Sequence, residues 1–99
     1  MPADDPWELR YDPRVRSKLR RVRNKTVLQR IEEAARRLQE KPLSGKPLRT
    51  HPGVRSVPIA TPGSEYRIVY VPIEADRVIL AVLVAPREEV YKLLRQKSR

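Results

Sequence analysis

Histidine is the side-chain type suited to proton transfer near neutral pH, and this 99-residue sequence has one, His51. It lies in a segment, residues 41–53, that also carries Lys41, Lys46 and Arg49. A denser concentration of charge lies upstream. Between Arg10 and Lys25 eight basic residues stand against one acid, Asp12. Such a run is either a solvated helix face or a surface that neutralises phosphate or carboxylate, because uncompensated cations at this density repel one another. Arginine outnumbers lysine 16 to 6, and its planar fork pairs with two phosphate oxygens at once while staying charged. With no cysteine, one histidine and no clustered carboxylates, the sequence offers neither a disulfide nor a metal site. Its chemistry is that of charge and proton transfer.

The whole composition points the same way. Lys and Arg total 22 against 12 acids, a formal charge of +10, which calls for an anionic partner: nucleic acid, an acidic protein segment or a membrane surface. Hydrophobic residues are 39% of the chain. At this length one core buries only about 60–65% of the unfolded surface, so a single domain spanning residues 1–99 is expected and a two-domain enzyme is excluded. No run reaches the ~20 apolar residues of a membrane span, and Met1–Trp7 lacks a basic-then-apolar leader pattern. A cytoplasmic protein without membrane contact is expected.

The elements that position these charges follow from periodicity. Trp7, Leu9 and Tyr11 alternate with Glu8 and Arg10 as in a short strand. Asp12-Pro13 reads as an N-cap followed by proline at the first helical position, and Val15, Leu19 and Val22 give that helix one apolar stripe. Asn24 caps a second helix with the stripe Val27, Ile31, Ala34, Ala35 and Leu38, so two antiparallel helices are expected. From Lys41 to Gly53, prolines and glycines break both periods and predict a loop. Three strand-like runs follow, Val54–Ala60, Tyr66–Val71 and Val78–Val84, with turn residues between them. The last run is apolar throughout, as in a central strand covered on both faces. Glu88–Gln96, opened by Pro86, reads as a terminal helix with a basic end at Arg95, Lys97 and Arg99. The expected fold is α+β: an antiparallel β-sheet, the N-terminal strand plus a three-stranded meander, packed on a two-helix hairpin with a short C-terminal helix.

Four pieces in this order carry a resemblance: Gly45-Lys46-Pro47-Leu48-Arg49, Gly53-Val54-Arg55-Ser56, Glu65-Tyr66-Arg67-Ile68-Val69-Tyr70 and Arg87-Glu88-Glu89-Val90-Tyr91. The chain resembles the RelE/ParE superfamily of type II toxins across essentially its whole length. The resemblance implies a small basic toxin held inactive by an antitoxin. It implies either of two activities: the RelE branch cleaves messenger RNA in the ribosomal A site, and the ParE branch poisons DNA gyrase. By similarity to the nucleases, Arg67 and Arg87 match phosphate-contacting arginines, and Tyr91 matches a tyrosine that stacks on or activates the substrate. Two strand lysines of the best-known nuclease are absent, their positions falling on Ser56 and Pro58.

RNA cleavage by its own 2′-hydroxyl needs a proton acceptor, positive charge at the phosphate and a proton for the leaving oxygen, with no cofactor. Arg67 and Arg87 suit the second need. His51 is a candidate for the base that the missing lysines leave open; Glu65 and Glu88 are alternatives, each also placed to balance an arginine. Tyr91 has two readings, a stacking or proton-transferring residue and a residue at the rim of the sheet. Tyr66 and Tyr70, at odd spacing from Arg67, are expected on the opposite face of the strand, in the core. Lys18, Arg20, Arg21 and Arg23, with Lys46, Arg49 and Arg55, are the candidate RNA contacts. The expected partners are a cognate acidic antitoxin, the ribosome with its mRNA, and a weak homodimer when the antitoxin is missing. Gyrase inhibition and a degenerate, RNA-binding toxin are the competing functions.

Overall fold

The computed structural model describes residues 5–97; the basic end at Arg99 lies outside them, as does the side chain of Lys97. Strand β1 (Glu8–Tyr11) leads into helices α1 (Pro13–Arg20) and α2 (Lys25–Glu40). Strands β2 (Lys46–Pro47), β3 (Arg55–Thr61), β4 (Ser64–Ile73) and β5 (Val78–Pro86) follow, and helix α3 (Arg87–Lys97) ends the chain. Both expected helix starts are present. Asp12 Oδ1 accepts the Arg14 N–H at 2.8 Å, and Asn24 Oδ1 accepts the N–H groups of Thr26 and Val27 at 2.9 and 3.2 Å, so each cap satisfies donors that have no partner inside the helix.

The sheet order is β1-β5-β4-β3-β2. The β3–β4–β5 meander is antiparallel as expected, but β1 runs parallel to β5, pairing Glu8 with Val78 and Tyr11 with Ala81. The sheet is therefore mixed rather than antiparallel. Only a tight turn forces antiparallel pairing; β1 reaches the meander through the whole helical hairpin, which leaves its direction open to the packing. The predicted loop also contributes a two-residue strand, with Lys46 opposite Ser56 and Pro47 opposite Arg55. Proline is tolerated there because β2 is an edge strand.

Each face of the sheet has its own core. On the hairpin face Val15, Ile31 and Leu38 pack with Ile59, Ile68, Tyr70, Ile79, Ala81 and Val84. On the other, Val90 and Leu94 of α3 pack with Val69, Leu83 and Ala85. The double cover accounts for the unbroken apolar run of β5. A bulge sharpens this arrangement. Opposite Val69 and Tyr70 the register steps from Leu83 to Ala81, so Val82 is the extra residue and Val84 joins Ile79 and Ala81 on the hairpin face.

Candidate functional site

Strand alternation divides β4 as expected: Tyr70 is fully buried in the hairpin-side core, with Tyr66 packed at its margin, and Arg67 points to the face that α3 covers. Arg67 is held from two sides. Its Nη1 donates to Ser56 Oγ at 3.4 Å, and its Nε lies 3.2 Å from Glu65 Oε2 with the arginine side chain 21% exposed. Ser56 is 4% exposed. It is a buried support for Arg67, and Glu65 is the arginine's counter-ion.

The register brings further groups to this face. Arg67 sits between Pro58 on β3 and Ala85 on β5, and Arg87 opens α3 two residues beyond Ala85. Arg87 is exposed, and Tyr91, one helical turn later, is 46% exposed while its neighbour Val90 takes the buried position. Tyr91 thus presents its ring to solvent. Lys46, opposite Ser56 and exposed, shares the face with Arg67 because cross-strand partners point the same way. The pairing of β2 with β3 is invisible in local sequence, so this juxtaposition of Lys46 and Ser56 was not expected.

The remaining candidates separate. Leu48 and Val54 pack on the α3-side core and carry the turn with Arg49 and His51 along that face. The His51 Nδ1 shares a hydrogen bond of 2.8 Å with Thr50 Oγ1, and its Nε2 is shielded from solvent without a protein partner. Arg55 is turned away. It stands opposite Tyr70, and its Nη1 donates to the carbonyls of Gly45 at 2.7 Å and Leu43 at 3.1 Å, so its guanidinium braces the loop instead of reaching outward. Lys18 reaches Glu89 of α3 at 3.3 Å, whereas Arg20, Arg21 and Arg23 are exposed.

Sequence reasoning missed the anchor of the α2–β3 loop. The Tyr70 hydroxyl accepts the Gly45 N–H at 3.0 Å and donates to the Pro42 carbonyl at 2.8 Å. Burial raises the Tyr70 pKa above the ordinary tyrosine value, the Gly45 hydrogen bond and the Arg55 charge opposing it in part. Among the described residues no group of three or more His, Cys, Asp or Glu could hold a metal ion, and no helix is long and apolar enough to cross a membrane.

Comparison with known proteins gives this arrangement its class. The model of the family described as "ParE toxin of type II toxin-antitoxin system, parDE" matches residues 9–91. Among solved structures, a double mutant of the E. coli toxin RelE in the free state is 26% identical with a TM-score of 0.71, covering 88% of this chain and 92% of its own. The toxin-antitoxin complex RelBE2 from Mycobacterium tuberculosis is 27% identical with a TM-score of 0.65, covering 82% and 91%. The archaeal RelE-RelB complex from Pyrococcus horikoshii, at 20% identity, TM-score 0.63 and coverage of 83% and 96%, shares the fold. No curated protein matches the chain. The chain belongs to the ParE toxin family, within the RelE/ParE superfamily, and is a toxin of a type II toxin-antitoxin system.

Proposed function

We propose that this toxin is a ribosome-dependent endoribonuclease that cuts messenger RNA in the A site. The observation that carries the reading is Arg67, braced by Ser56 and Glu65 on the sheet face beside the start of α3, where Arg87 and Tyr91 follow one turn apart. In the reaction the 2′-hydroxyl oxygen bonds to phosphorus and the bond to the 5′ oxygen breaks, leaving a 2′,3′-cyclic phosphate and a 5′-hydroxyl. Arg67 and Arg87 neutralise the charge that builds on the phosphate oxygens, an effect of about 2.7–4 kcal/mol for a single well-placed donor. Tyr91 stacks on a base or gives the leaving oxygen its proton. His51 is the residue to test for taking the 2′-hydroxyl proton. Lys18, Arg20, Arg21, Arg23, Lys46 and Arg49 supply the positive surface for ribosomal RNA. An acidic antitoxin, folding over basic and apolar surface together, is the partner in a cytoplasmic setting, with a weak homodimer in its absence.

Gyrase inhibition is the second reading, favoured by the ParE description of the matching family and by Ser56 and Pro58 at the lysine positions. Cleavage mapping of a defined messenger on programmed ribosomes, run beside a gyrase supercoiling assay, separates the two. Scission at an A-site codon by wild type and not by Arg67→Ala supports the nuclease; intact RNA with blocked supercoiling replaces it with the gyrase inhibitor.

A further inference from the structure

The sheet has a second basic site, on the face opposite Arg67. An open cleft of about 790 Å³ lies between the end of α1, the start of α2 and β4, lined by Arg14, Lys18, Arg21, Arg23, Asn24 and Tyr66 among others. No acid lines it. Among the described residues no carboxylate pairs with Arg14, Arg21 or Arg23; the one ion pair at the rim joins Lys18 to Glu89. Asn24 is already committed to the first turn of α2, so the cleft is not merely a helix end waiting for an anion. What distinguishes it from a solvated charge run is its wall. Tyr66 is half-buried, packed against the hairpin-side core while lining the cleft, so an aromatic ring shares the cleft wall with four cations. Cations along a groove with an aromatic platform bind single-stranded nucleic acid: the base stacks on the ring and the backbone phosphates meet the charges. The volume is that of an ordinary small-ligand site.

Its place in the fold connects it to the proposed reaction centre. Tyr66 and Arg67 are consecutive on β4 and point to opposite faces, and the Lys18–Glu89 contact ties α1 to the first turn of α3, which Arg87 opens. The cleft and the arginine pair therefore share one end of the sheet. We infer that the cleft is a subsite for an unpaired nucleotide of single-stranded RNA, its base stacked on Tyr66 and its flanking phosphates held by Arg21 and Arg23. Its link to catalysis rests on the nuclease reading: a strand cut at Arg67 and Arg87 turns round the end of the sheet, and the cleft holds a neighbouring nucleotide. The subsite thus contributes to affinity rather than to the chemical step.

The test measures binding of a fluorescent ten-nucleotide single-stranded RNA to the full chain as a function of salt, with A-site cleavage followed in parallel. Arg21→Glu/Arg23→Glu, which alters two exposed side chains, should weaken binding more than tenfold and flatten the logarithmic salt dependence by about 1.4, since each phosphate contact on a single strand contributes about 0.7. Tyr66→Leu should weaken binding about 5- to 100-fold, and Tyr66→Phe, which keeps the ring, should restore it. If Tyr66→Leu does not fold, a photocrosslink from 4-thiouridine RNA to Tyr66 in the wild-type chain decides instead, and its absence overturns the inference. Equal binding by Tyr66→Leu and Tyr66→Phe overturns it too. So does a poly-glutamate peptide that displaces the RNA and binds without regard to the ring, which would make the cleft an acidic-peptide site. RNA binding with this pattern but no cleavage by wild type retains the subsite and refutes the nuclease reading.

Discussion

The Tyr70 hydroxyl and the Gly45 backbone N–H lie 3.0 Å apart, joining the buried middle of β4 to the loop that precedes β2. Arg55 grips the same residue from its other side, donating to the Gly45 carbonyl at 2.7 Å. The next residue is Lys46, whose position opposite Ser56 depends on this anchor. A β-carbon at position 45 would fall 2.6 Å from the Tyr70 hydroxyl and 2.9 Å from the Ser56 carbonyl, so glycine is required by close approach.

Removing either half of this latch should destabilise the fold. Tyr70→Phe leaves the Gly45 N–H without its partner and should cost about 1–3 kcal/mol; Gly45→Ala forces the loop off β4 at a similar cost of about 1–3 kcal/mol. Urea denaturation followed by circular dichroism measures both. The two changes should be less than additive in the double variant, because each breaks the same contact.

The same hydroxyl makes stability fall in alkali. Burial raises the Tyr70 pKa, and burial also raises that of Tyr11, with the Glu32 charge adding to it. A raised folded-state pKa means that the native chain holds the proton more tightly than the unfolded one. The contribution is therefore complete below the unfolded tyrosine value of about 10 and is lost as pH rises through the folded value. The urea midpoint should drop between pH 9 and pH 11, and by less in Tyr70→Phe than in wild type. An equal drop in both would refute the assignment to Tyr70.

Arg67→Ala should lower A-site cleavage by about 10²–10³-fold with an unchanged circular dichroism spectrum, because the side chain belongs to neither hydrophobic core. Arg67→Lys should recover little, since a point charge cannot reproduce two-pronged pairing with phosphate. Wild-type rates in Arg67→Ala would remove the arginine from the reaction.

A lysine at position 56 should not be tolerated. Ser56 is 4% exposed and accepts a hydrogen bond from Arg67, so Ser56→Lys buries an ammonium group against a guanidinium. The expected result is a loss of about 3 kcal/mol or more in chemical denaturation, without a gain in cleavage. Lys46→Ala, in contrast, should leave stability within about 0.5 kcal/mol, as expected of an exposed substitution.

Asn24→Ala should cost about 1 kcal/mol, since one side-chain oxygen serves both Thr26 and Val27. Thermal denaturation of this variant, with Asn24→Ser largely restoring the midpoint, checks that the cap and not the side-chain volume is responsible.

What the sequence determined alone is what neighbouring residues decide between themselves. The two helix starts at Asp12-Pro13 and Asn24, the apolar stripes of α1 and α2, the three strands of the meander and the alternation that separates Tyr66 and Tyr70 from Arg67 all rest on cap chemistry and on periods of 3.6 and 2. These signals are local and survive in the unfolded chain as preferences. Tertiary structure decided the parallel direction of β1, the two-residue strand at Lys46–Pro47, the bulge at Val82 and the inward turn of Arg55. It also decided that Ser56 is a buried support for Arg67, and that Tyr66 lines a basic cleft on the opposite face. Each of these depends on a partner far along the chain. Its choice is made by which apolar surfaces can be covered together and which buried hydrogen-bonding groups must be satisfied, and no window of sequence contains both sides of that choice.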